Sequence, residues 1–253
     1  MARFPLVFIA GVGHSGSNLL SRLLDKHPLA ACVGETAWVD YAVAQGVACT
    51  CGRSYADCPY WGPLMPLLKG RGDYSYKRFT PELFGKLRRA ARAEVLVDNS
   101  KTRAFNLARR WPEVGFLLLV RDSRGVLSSG LRKGGDLGHL LRRHKKWMRR
   151  FARLARRRAA DTLVLRYEDL VRDPARELGR ATGFLGLPYE PALLRPSPEP
   201  YHFMYSKKTS ALDRGDELRL DERWRSELAP RDAARIASAM KGLRFYRELY
   251  PGE

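Results

Sequence analysis

Residues 5–18 read PLVFIAGVGHSGSN, and this stretch decides the fold. The uncharged apolar run Pro5 to Ala10 predicts a short strand that is buried on both faces. Gly11 to Ser17 (GVGHSGS) is a glycine and serine loop, and Asn18 to Lys26 (NLLSRLLDK) places its leucines at helical spacing. In this order the three elements form a cradle, because backbone N–H groups and a helix N-terminus both favour a bound phosphate.

The loop differs from the phosphate loop of nucleoside triphosphatases, G-x-x-x-x-G-K-[ST], in the residues that follow its second glycine. Gly11 and Gly16 have the required spacing, but Ser17 stands where that motif has its lysine. We therefore expect a phosphate site that is not built for ATP. A tight strand-to-helix turn without a ligand is the alternative reading of the same residues.

Further short apolar runs alternate with helical patterns along the chain. Predicted strands cover Leu29 to Val33, Val95 to Val97, Gly115 to Val120 and Thr162 to Arg166. Predicted helices cover Thr36 to Ala48, Pro81 to Ala93, Thr102 to Arg110, Gly125 to Lys133, Leu137 to Ala160 and Arg231 to Leu249. This alternation predicts an α/β fold with a mostly parallel central sheet flanked by helices, in which ligands bind outside the carboxyl ends of the strands. We expect one domain over 1–253, with an ordered, Cys- and aromatic-rich inserted loop at about 49–76.

The charge of the chain is strongly positive. Its 253 residues carry a formal net charge of +19, and 45% of them are hydrophobic, so global disorder is excluded. Such a charge favours polyanions (nucleic acid, an anionic membrane, an anionic substrate or cofactor), or a solvated basic surface. No apolar stretch is long enough to span a bilayer, and Met1 to Ala10 lacks a signal-peptide cleavage pattern, so we expect a cytoplasmic enzyme.

Three of the four cysteines are close in sequence: Cys49, Cys51 and Cys58. Their spacing is not that of a standard zinc motif, and three thiolates need a fourth ligand. Cys32 is a candidate, although its place after a predicted strand favours the core. Free buried thiols are the default expectation, so no metal is assigned, and a disulfide or a metal site stays open.

A second candidate anion site follows the most apolar strand. Arg121 ends that strand, and Ser129 lies eight residues further on, inside the next helix. A guanidinium and a hydroxyl in these places can clamp a second phosphate together.

Taken together, these segments resemble the sulfotransferases that use 3′-phosphoadenosine-5′-phosphosulfate (PAPS), in particular a bacterial branch. The loop at residues 11–18 resembles the family's 5′-phosphosulfate loop, and RDSRGVLSS at residues 121–129 resembles its 3′-phosphate motif. The match continues through DNSK at 98–101, YEDL at 167–170 with Asp173-Pro174, DERW at 221–224, and the cysteines with Pro59, Tyr60 and Trp61. The resemblance covers nearly the whole chain and implies a three-layer, P-loop-like fold.

The resemblance also implies roles for individual residues. The 5′-phosphosulfate would be held by Gly13, His14, Ser15, Gly16, Ser17 and Asn18, and the 3′-phosphate by Arg121 and Ser129. Lys207 and Lys208, in the loop Tyr205 to Ser210, would close over the 3′-phosphate. His14 replaces the usual lysine and Asn18 the usual threonine, so Lys101 is a candidate to share the stabilisation of the leaving group with His14.

The residue that removes the acceptor proton is predicted to be Glu35. It follows the second predicted strand, beside the loop, where several related enzymes use a glutamate. A helix-capping carboxylate is the alternative, and His139, His144 and His202 are the other conceivable bases. The sulfuryl group carries less charge than a phosphoryl group, so we expect in-line transfer that requires no metal.

Two other functions compete with this interpretation. A nucleotide-dependent kinase shares the loop position but needs the missing lysine and magnesium. A nucleic-acid-binding module is favoured by the basic segment Arg142 to Arg158, but its apolar stripe and the lack of interleaved aromatic residues argue against specific nucleic-acid binding. The acceptor, a small molecule, a carbohydrate or a carrier-bound group that the charge suggests is anionic, would be selected by loops at Tyr41 to Tyr76 and Leu131 to Leu140.

Overall fold

The computed structural model describes residues 2–70, 73–102, 105, 111, 113–195, 202–205 and 218–252. Its five strands form one sheet in the order β2-β3-β1-β4-β5, and every pairing between neighbours is parallel. The strands are β1 (Leu6–Ala10), β2 (Ala30–Cys32), β3 (Val95–Asp98), β4 (Gly115–Val120) and β5 (Thr162–Arg166). The predicted α/β fold with a parallel sheet is confirmed.

Helices connect the strands and cover both faces of the sheet. They are α1 (Ser17–Leu24), α2 (Val39–Ala44), α3 (Met65–Leu68), α4 (Pro81–Ala90), α5 (Ser123–Leu131), α6 (Leu137–Arg157), α7 (Tyr167–Arg172), α8 (Pro174–Leu185), α9 (Trp224–Glu227), α10 (Pro230–Lys241) and α11 (Arg244–Leu249). Side-chain caps fix several of the starts: the carboxylate of Asp136, for example, accepts the N–H of His139 at the head of α6. None of the described helices combines the length and apolar character that a bilayer crossing needs.

Some predicted elements take a different form. The helix expected over Thr36 to Ala48 is a 3₁₀ turn at Thr36–Trp38 followed by the short α2. The expected final helix is two helices, because Leu243 is extended (φ −106°, ψ 104°) and buries its side chain in the core. The α7 and α8 helices are not among the predicted elements, and the helix predicted over Thr102 to Arg110 lies largely outside the described residues.

The alternation of side chains along β1 builds two cores. Leu6 and Phe8 point to one face of the sheet, where they meet the α5 and α6 layer. Val7 and Ile9 point to the other, where they meet α1 and α8. All five β1 residues are buried, as the apolar run predicts for a central parallel strand.

The inserted segment, over its described residues, joins the first of these cores. Tyr55, Cys58 and Trp61 are buried, and the indole N–H of Trp61 donates to the backbone oxygen of His202 at 2.7 Å. The segment thus packs against residues more than 140 positions away in sequence.

Candidate functional site

The polar residues singled out above follow the carboxyl ends of adjacent strands. Across the sheet from β2 to β5 the sequence of positions is Glu35, then Lys101, then the 11–18 loop, then Arg121, then Tyr167. Because the strands are parallel, all five positions lie along one edge of the sheet. The structure therefore brings the predicted site residues Glu35, Lys101, the 11–18 loop and Arg121 to one edge, together with Tyr167.

This edge contains the switch point of the fold. β1 and β4 are neighbours in the sheet, but α1, which follows β1, packs on one face, whereas α5, which follows β4, packs on the other. The two connections diverge and leave a crevice at the carboxyl ends of β1 and β4. The glycine loop and Arg121 border this crevice.

The loop backbone has a conformation that its small residues permit. Gly16 has φ 90°, and a Cβ built there would lie 2.4 Å from the ring of Tyr167. His14 also has a positive φ of 70°. A Cβ on Gly13 would meet nothing within 4 Å, so the backbone there faces open space. The loop therefore packs tightly underneath and is open at Gly13.

Two buried polar atoms at the loop have no hydrogen-bond partner. They are Oγ of Ser15 and Oδ1 of Asn99, whereas Nδ2 of Asn99 donates to Oδ1 of Asn18 at 2.6 Å. A buried polar atom without a partner is costly unless a ligand or water satisfies it. These atoms give the loop unused hydrogen-bonding capacity.

Arg121 is held against the loop from several directions. Its guanidinium donates to the backbone oxygen of His14 at 3.1 Å, stacks 4.4 Å from the ring centre of Tyr167 and lies 3.2 Å from Oδ2 of Asp221. The hydrogen bond from Arg223, and to a smaller extent the one from Arg121, lowers the pKa of Asp221. Sequence reasoning missed Tyr167 and Asp221 as site residues, although both belong to quoted motifs and Tyr167 directly follows β5.

Ser129 lies near the end of the helix that follows Arg121 and is buried. Its hydroxyl donates to the backbone oxygen of Gly125 at 3.0 Å and accepts from Nη2 of Arg132 at 3.0 Å. Arg132 in turn forms an ion pair with Glu227. The structure thus adds Arg132 to Arg121 as a second cation on this side of the loop. Arg132 contacts Ser129 and was not singled out from the sequence.

Glu35 and Lys101 form an ion pair on the other side of the loop. Nζ of Lys101 lies 2.5 Å from Oε1 of Glu35, and both side chains are largely buried. Glu35 occupies the cap position of the Thr36–Trp38 turn, but its side chain makes no capping hydrogen bond. Its carboxylate is therefore directed to Lys101 and not to the helix terminus.

Asp98 lies behind this pair at the end of β3. It is fully buried and accepts hydrogen bonds from the hydroxyl of Thr36 and, at 2.6 Å, from the N–H of Ser100. Burial raises its pKa to about 6, and the negative charge of Glu35 acts in the same direction. Asp98 fixes the turns that carry Glu35 and Lys101.

A second buried carboxylate braces the Arg121 side. Oε1 of Glu168 accepts the N–H of Asp122 at 2.9 Å, and its Oε2 accepts the hydroxyl of Tyr250 at 2.8 Å. The C-terminal Tyr250 is thereby linked to the residue that follows Arg121.

The other candidates have different surroundings. His139 is exposed on α6, and His144 is buried on the same helix, 2.8 Å from the hydroxyl of Ser123, with its pKa lowered by burial to about 4. His202 contacts the cysteines of the inserted segment. Lys207 and Lys208 lie outside the described residues.

The 64–191 segment, which includes Arg121 and Ser129, matches the model of the sulfotransferase family. The chain belongs to this family. It is 28% identical over 200 residues to protein-tyrosine sulfotransferase 1 of Danio rerio, covering 75% of this chain and 55% of that protein. It is 27% identical over 201 residues to protein-tyrosine sulfotransferase 2 of Gallus gallus, covering 75% and 53%. The chain thus spans about half the length of these curated relatives.

Solved sulfotransferase domains share the fold. The domain from the curacin biosynthetic pathway superposes with a TM-score of 0.66 at 19% identity, covering 95% of this chain and 98% of that one. The domain of the Synechococcus olefin synthase gives 0.63 at 21%, covering 94% of both. The predicted three-layer, P-loop-like architecture is confirmed by this likeness.

Proposed function

We propose that the protein transfers a sulfuryl group from PAPS to a hydroxyl or amine of an acceptor. The proposal rests on the arrangement along the sheet edge. At its centre lies the glycine loop, in which the buried hydroxyl of Ser15 has no hydrogen-bond partner. A pair of arginines lies on one side of the loop and a carboxylate–lysine pair on the other. A doubly phosphorylated donor and a proton-bearing acceptor require these three functions next to one another.

The chain's own residues fit such a donor. Ser15 offers a buried hydroxyl without a partner, and Gly13 leaves room for a phosphate to approach the backbone. Arg121 and Ser129, joined by Arg132, are the groups that would hold the 3′-phosphate. Asp221 orients the Arg121 guanidinium and offsets part of its charge.

In the proposed reaction Glu35 takes the proton of the acceptor nucleophile. Lys101 lies beside it, and His14 lies in the loop, so the Lys101 cation and a hydrogen bond from the His14 ring would counter charge that develops on the leaving bisphosphate. Sulfuryl transfer is an in-line displacement with a loose transition state, and in this proposal it needs no metal.

A phenolic hydroxyl comes first among the acceptors to be tested. The two relatives named above are protein-tyrosine sulfotransferases, and their shared region includes most of this chain. A kinase is not favoured, since Ser17 occupies the position of the lysine that a triphosphate needs.

The decisive experiment is calorimetric titration with two nucleotides that differ by one phosphate. 3′-Phosphoadenosine-5′-phosphate (PAP) is expected to bind at least about 100-fold more tightly than adenosine 5′-phosphate, because buried charge-assisted contacts are worth about 1.5–3 kcal/mol each. In Arg121→Ala this difference should shrink to about tenfold or less, while adenosine 5′-phosphate binding is retained. Clear binding of ATP–magnesium without binding of PAP would overturn the proposal.

A further inference from the structure

The inserted segment holds a second cluster of reactive side chains, apart from the sheet edge. Cys49, Cys51, Cys58 and His202 each offer one ligand atom, and these four atoms all lie within 4.8 Å of one another. His202 is 144 residues from Cys58, so the fold alone brings the four together. None of them takes part in the proposed reaction.

The distances within the cluster are those of a metal tetrahedron. Zn–S bonds of about 2.3 Å place two tetrahedral sulfur ligands roughly 3.8 Å apart. Sγ of Cys58 lies 3.8 Å from that of Cys51 and 3.7 Å from that of Cys49. Nδ1 of His202 lies 3.3 Å from the sulfur of Cys58 and 4.0 Å from that of Cys49. The sulfur of Cys58 is thus as close to one cysteine as to the other, whereas a disulfide would single out one pair.

Backbone N–H groups lie around the three sulfur atoms. N–H groups of Cys51, Arg53, Tyr60 and Trp61 are directed at the three sulfur atoms. Gly52, with φ 90°, closes a tight turn in which its N–H donates to the backbone oxygen of Cys49 at 2.9 Å. The charge of Arg53, which acts on both Cys51 and His202, offsets the net negative charge of three thiolates around a divalent ion.

We propose that Cys49, Cys51, Cys58 and His202 bind one Zn²⁺ in a closed, four-coordinate structural site. Three thiolates and one imidazole in tetrahedral positions suit zinc, and each thiol gives up its proton to solvent as the metal binds. Cys32, the fourth ligand considered from sequence, packs in the opposite core layer, and His202 takes its place. With four protein ligands the ion has no open position for substrate.

The site clamps the short segment 202–205 onto the inserted loop. The N–H of Phe203 donates to the hydroxyl of Thr50 at 2.9 Å, and that of Tyr205 to the hydroxyl of Tyr55 at 2.8 Å. Met204 pairs with the residues that follow β2. It forms a parallel bridge with Gly34, and its backbone oxygen accepts the N–H of Glu35 at 2.7 Å. The metal would therefore act at a distance, as a brace for the backbone that carries Glu35.

Metal analysis of the full-length protein, purified with reductant and without a histidine tag, tests the proposal. We expect about one zinc per chain in the wild type. Cys58→Ser should lose most of it, whereas Cys32→Ala, which lies outside the cluster, should keep it. Metal content is read without nucleotide or acceptor, so its outcome is independent of the proposed function.

A pair of variants at one position guards against misfolding of Cys58→Ser. His202→Cys supplies a fourth thiolate and should retain zinc, whereas His202→Phe should lose it. In the cobalt-loaded wild type a tetrahedral thiolate spectrum is expected, and its bands should shift in His202→Cys. Wild-type protein with free, reactive thiols and no zinc, with iron instead, or with a mass two hydrogens lower from a disulfide would overturn the proposal.

Discussion

At the scale of single residues, the glycine loop divides into positions that serve packing and one that serves an incoming ligand. Gly16 needs its positive φ and the absence of a Cβ, because the ring of Tyr167 occupies the space. Gly13 has neither constraint, since a Cβ there would reach no atom within 4 Å. The two glycines therefore make a matched pair for substitution.

We expect Gly16→Ala to destabilise the protein by several kcal/mol, because it adds a clash to an unfavourable backbone conformation, each worth about 1–3 kcal/mol. Gly13→Ala should leave the melting temperature unchanged but weaken PAP binding about tenfold or more, because the methyl group occupies the phosphate position. Thermal unfolding and calorimetry measure both effects. Equal loss of stability in the two variants would contradict this division of roles.

Glu35→Gln should lower turnover by more than about tenfold while PAP binding is retained, because general bases typically contribute about 10²–10⁴-fold. The measurement is transfer of radiolabelled sulfate from PAPS to a panel of phenol and sugar acceptors. Asp40→Asn, an exposed carboxylate that follows in the same region, is the control and should keep full activity. A loss below tenfold in Glu35→Gln would remove Glu35 from its proposed role.

At the scale of elements, α6 exposes its basic side chains on one side and packs its apolar side chains on the other. Eight basic side chains are exposed along it: Arg142, Arg143, Lys146, Arg149, Arg150, Arg153, Arg156 and Arg157. The opposite side buries Leu141, His144, Met148 and Phe151. The helix is thus held by its apolar stripe, and its one buried titratable group makes its stability depend on pH.

Stability should fall between about pH 6.5 and pH 4 in part through His144. Its pKa in the folded protein is about 4, against an ordinary value of 6.5, so the unfolded chain binds the extra proton in this window. The group's contribution is fully present above 6.5 and is lost as the pH falls, by up to about 3 kcal/mol. In His144→Gln the free energy of unfolding, measured with denaturant, should depend less on pH than in the wild type. In the exposed control His139→Gln its pH dependence should equal that of the wild type.

The last helix, α11, contributes to the site through the residue that follows it. Tyr250 donates its hydroxyl to Glu168, which holds the N–H of Asp122 next to Arg121. Tyr250→Phe should cost about 1–3 kcal/mol in unfolding free energy, because a buried carboxylate loses a donor. It should also weaken PAP binding, whereas Tyr41→Phe, at an exposed ring, should change neither. Unchanged unfolding in Tyr250→Phe would show that water replaces the hydroxyl.

At the scale of the whole molecule, a net charge of +19 predicts attraction to polyanions without sequence preference. The aromatic side chains on α6 pack against one another, with the rings of Trp147 and Phe151 5.9 Å apart, and are not presented as stacking platforms. Binding to DNA is therefore expected to be electrostatic.

Affinity for unrelated DNA duplexes, followed by fluorescence anisotropy, should drop by about 10³-fold between 50 and 200 mM salt. PAP binding should fall much less over the same range, because its proposed contacts are few and partly buried. A duplex sequence bound more than about tenfold tighter than the rest at 200 mM salt would instead indicate specific recognition.

The sequence by itself determined the parallel sheet and the positions of its functional loops. Local signals sufficed there: β1 is continuously apolar, and Gly11 to Asn18, Arg121 and Glu35 directly follow apolar runs, where a parallel sheet gathers polar residues. Two features of the helices were not predictable from the local pattern. The 3₁₀ turn in place of a helix start at Thr36 and the break after Lys241 both depend on tertiary packing, the second on burial of Leu243.

Only the tertiary structure decided which distant residues complete each site. Asp221 and Tyr167 reach Arg121, Lys101 reaches Glu35, and His202 reaches the cysteines across stretches of 46 to 153 residues. No spacing rule encodes such pairs, since each depends on how separate elements pack against a common sheet. The local sequence pattern places a residue at the end of a strand. The packing of all elements around the sheet determines which distant side chain that residue contacts.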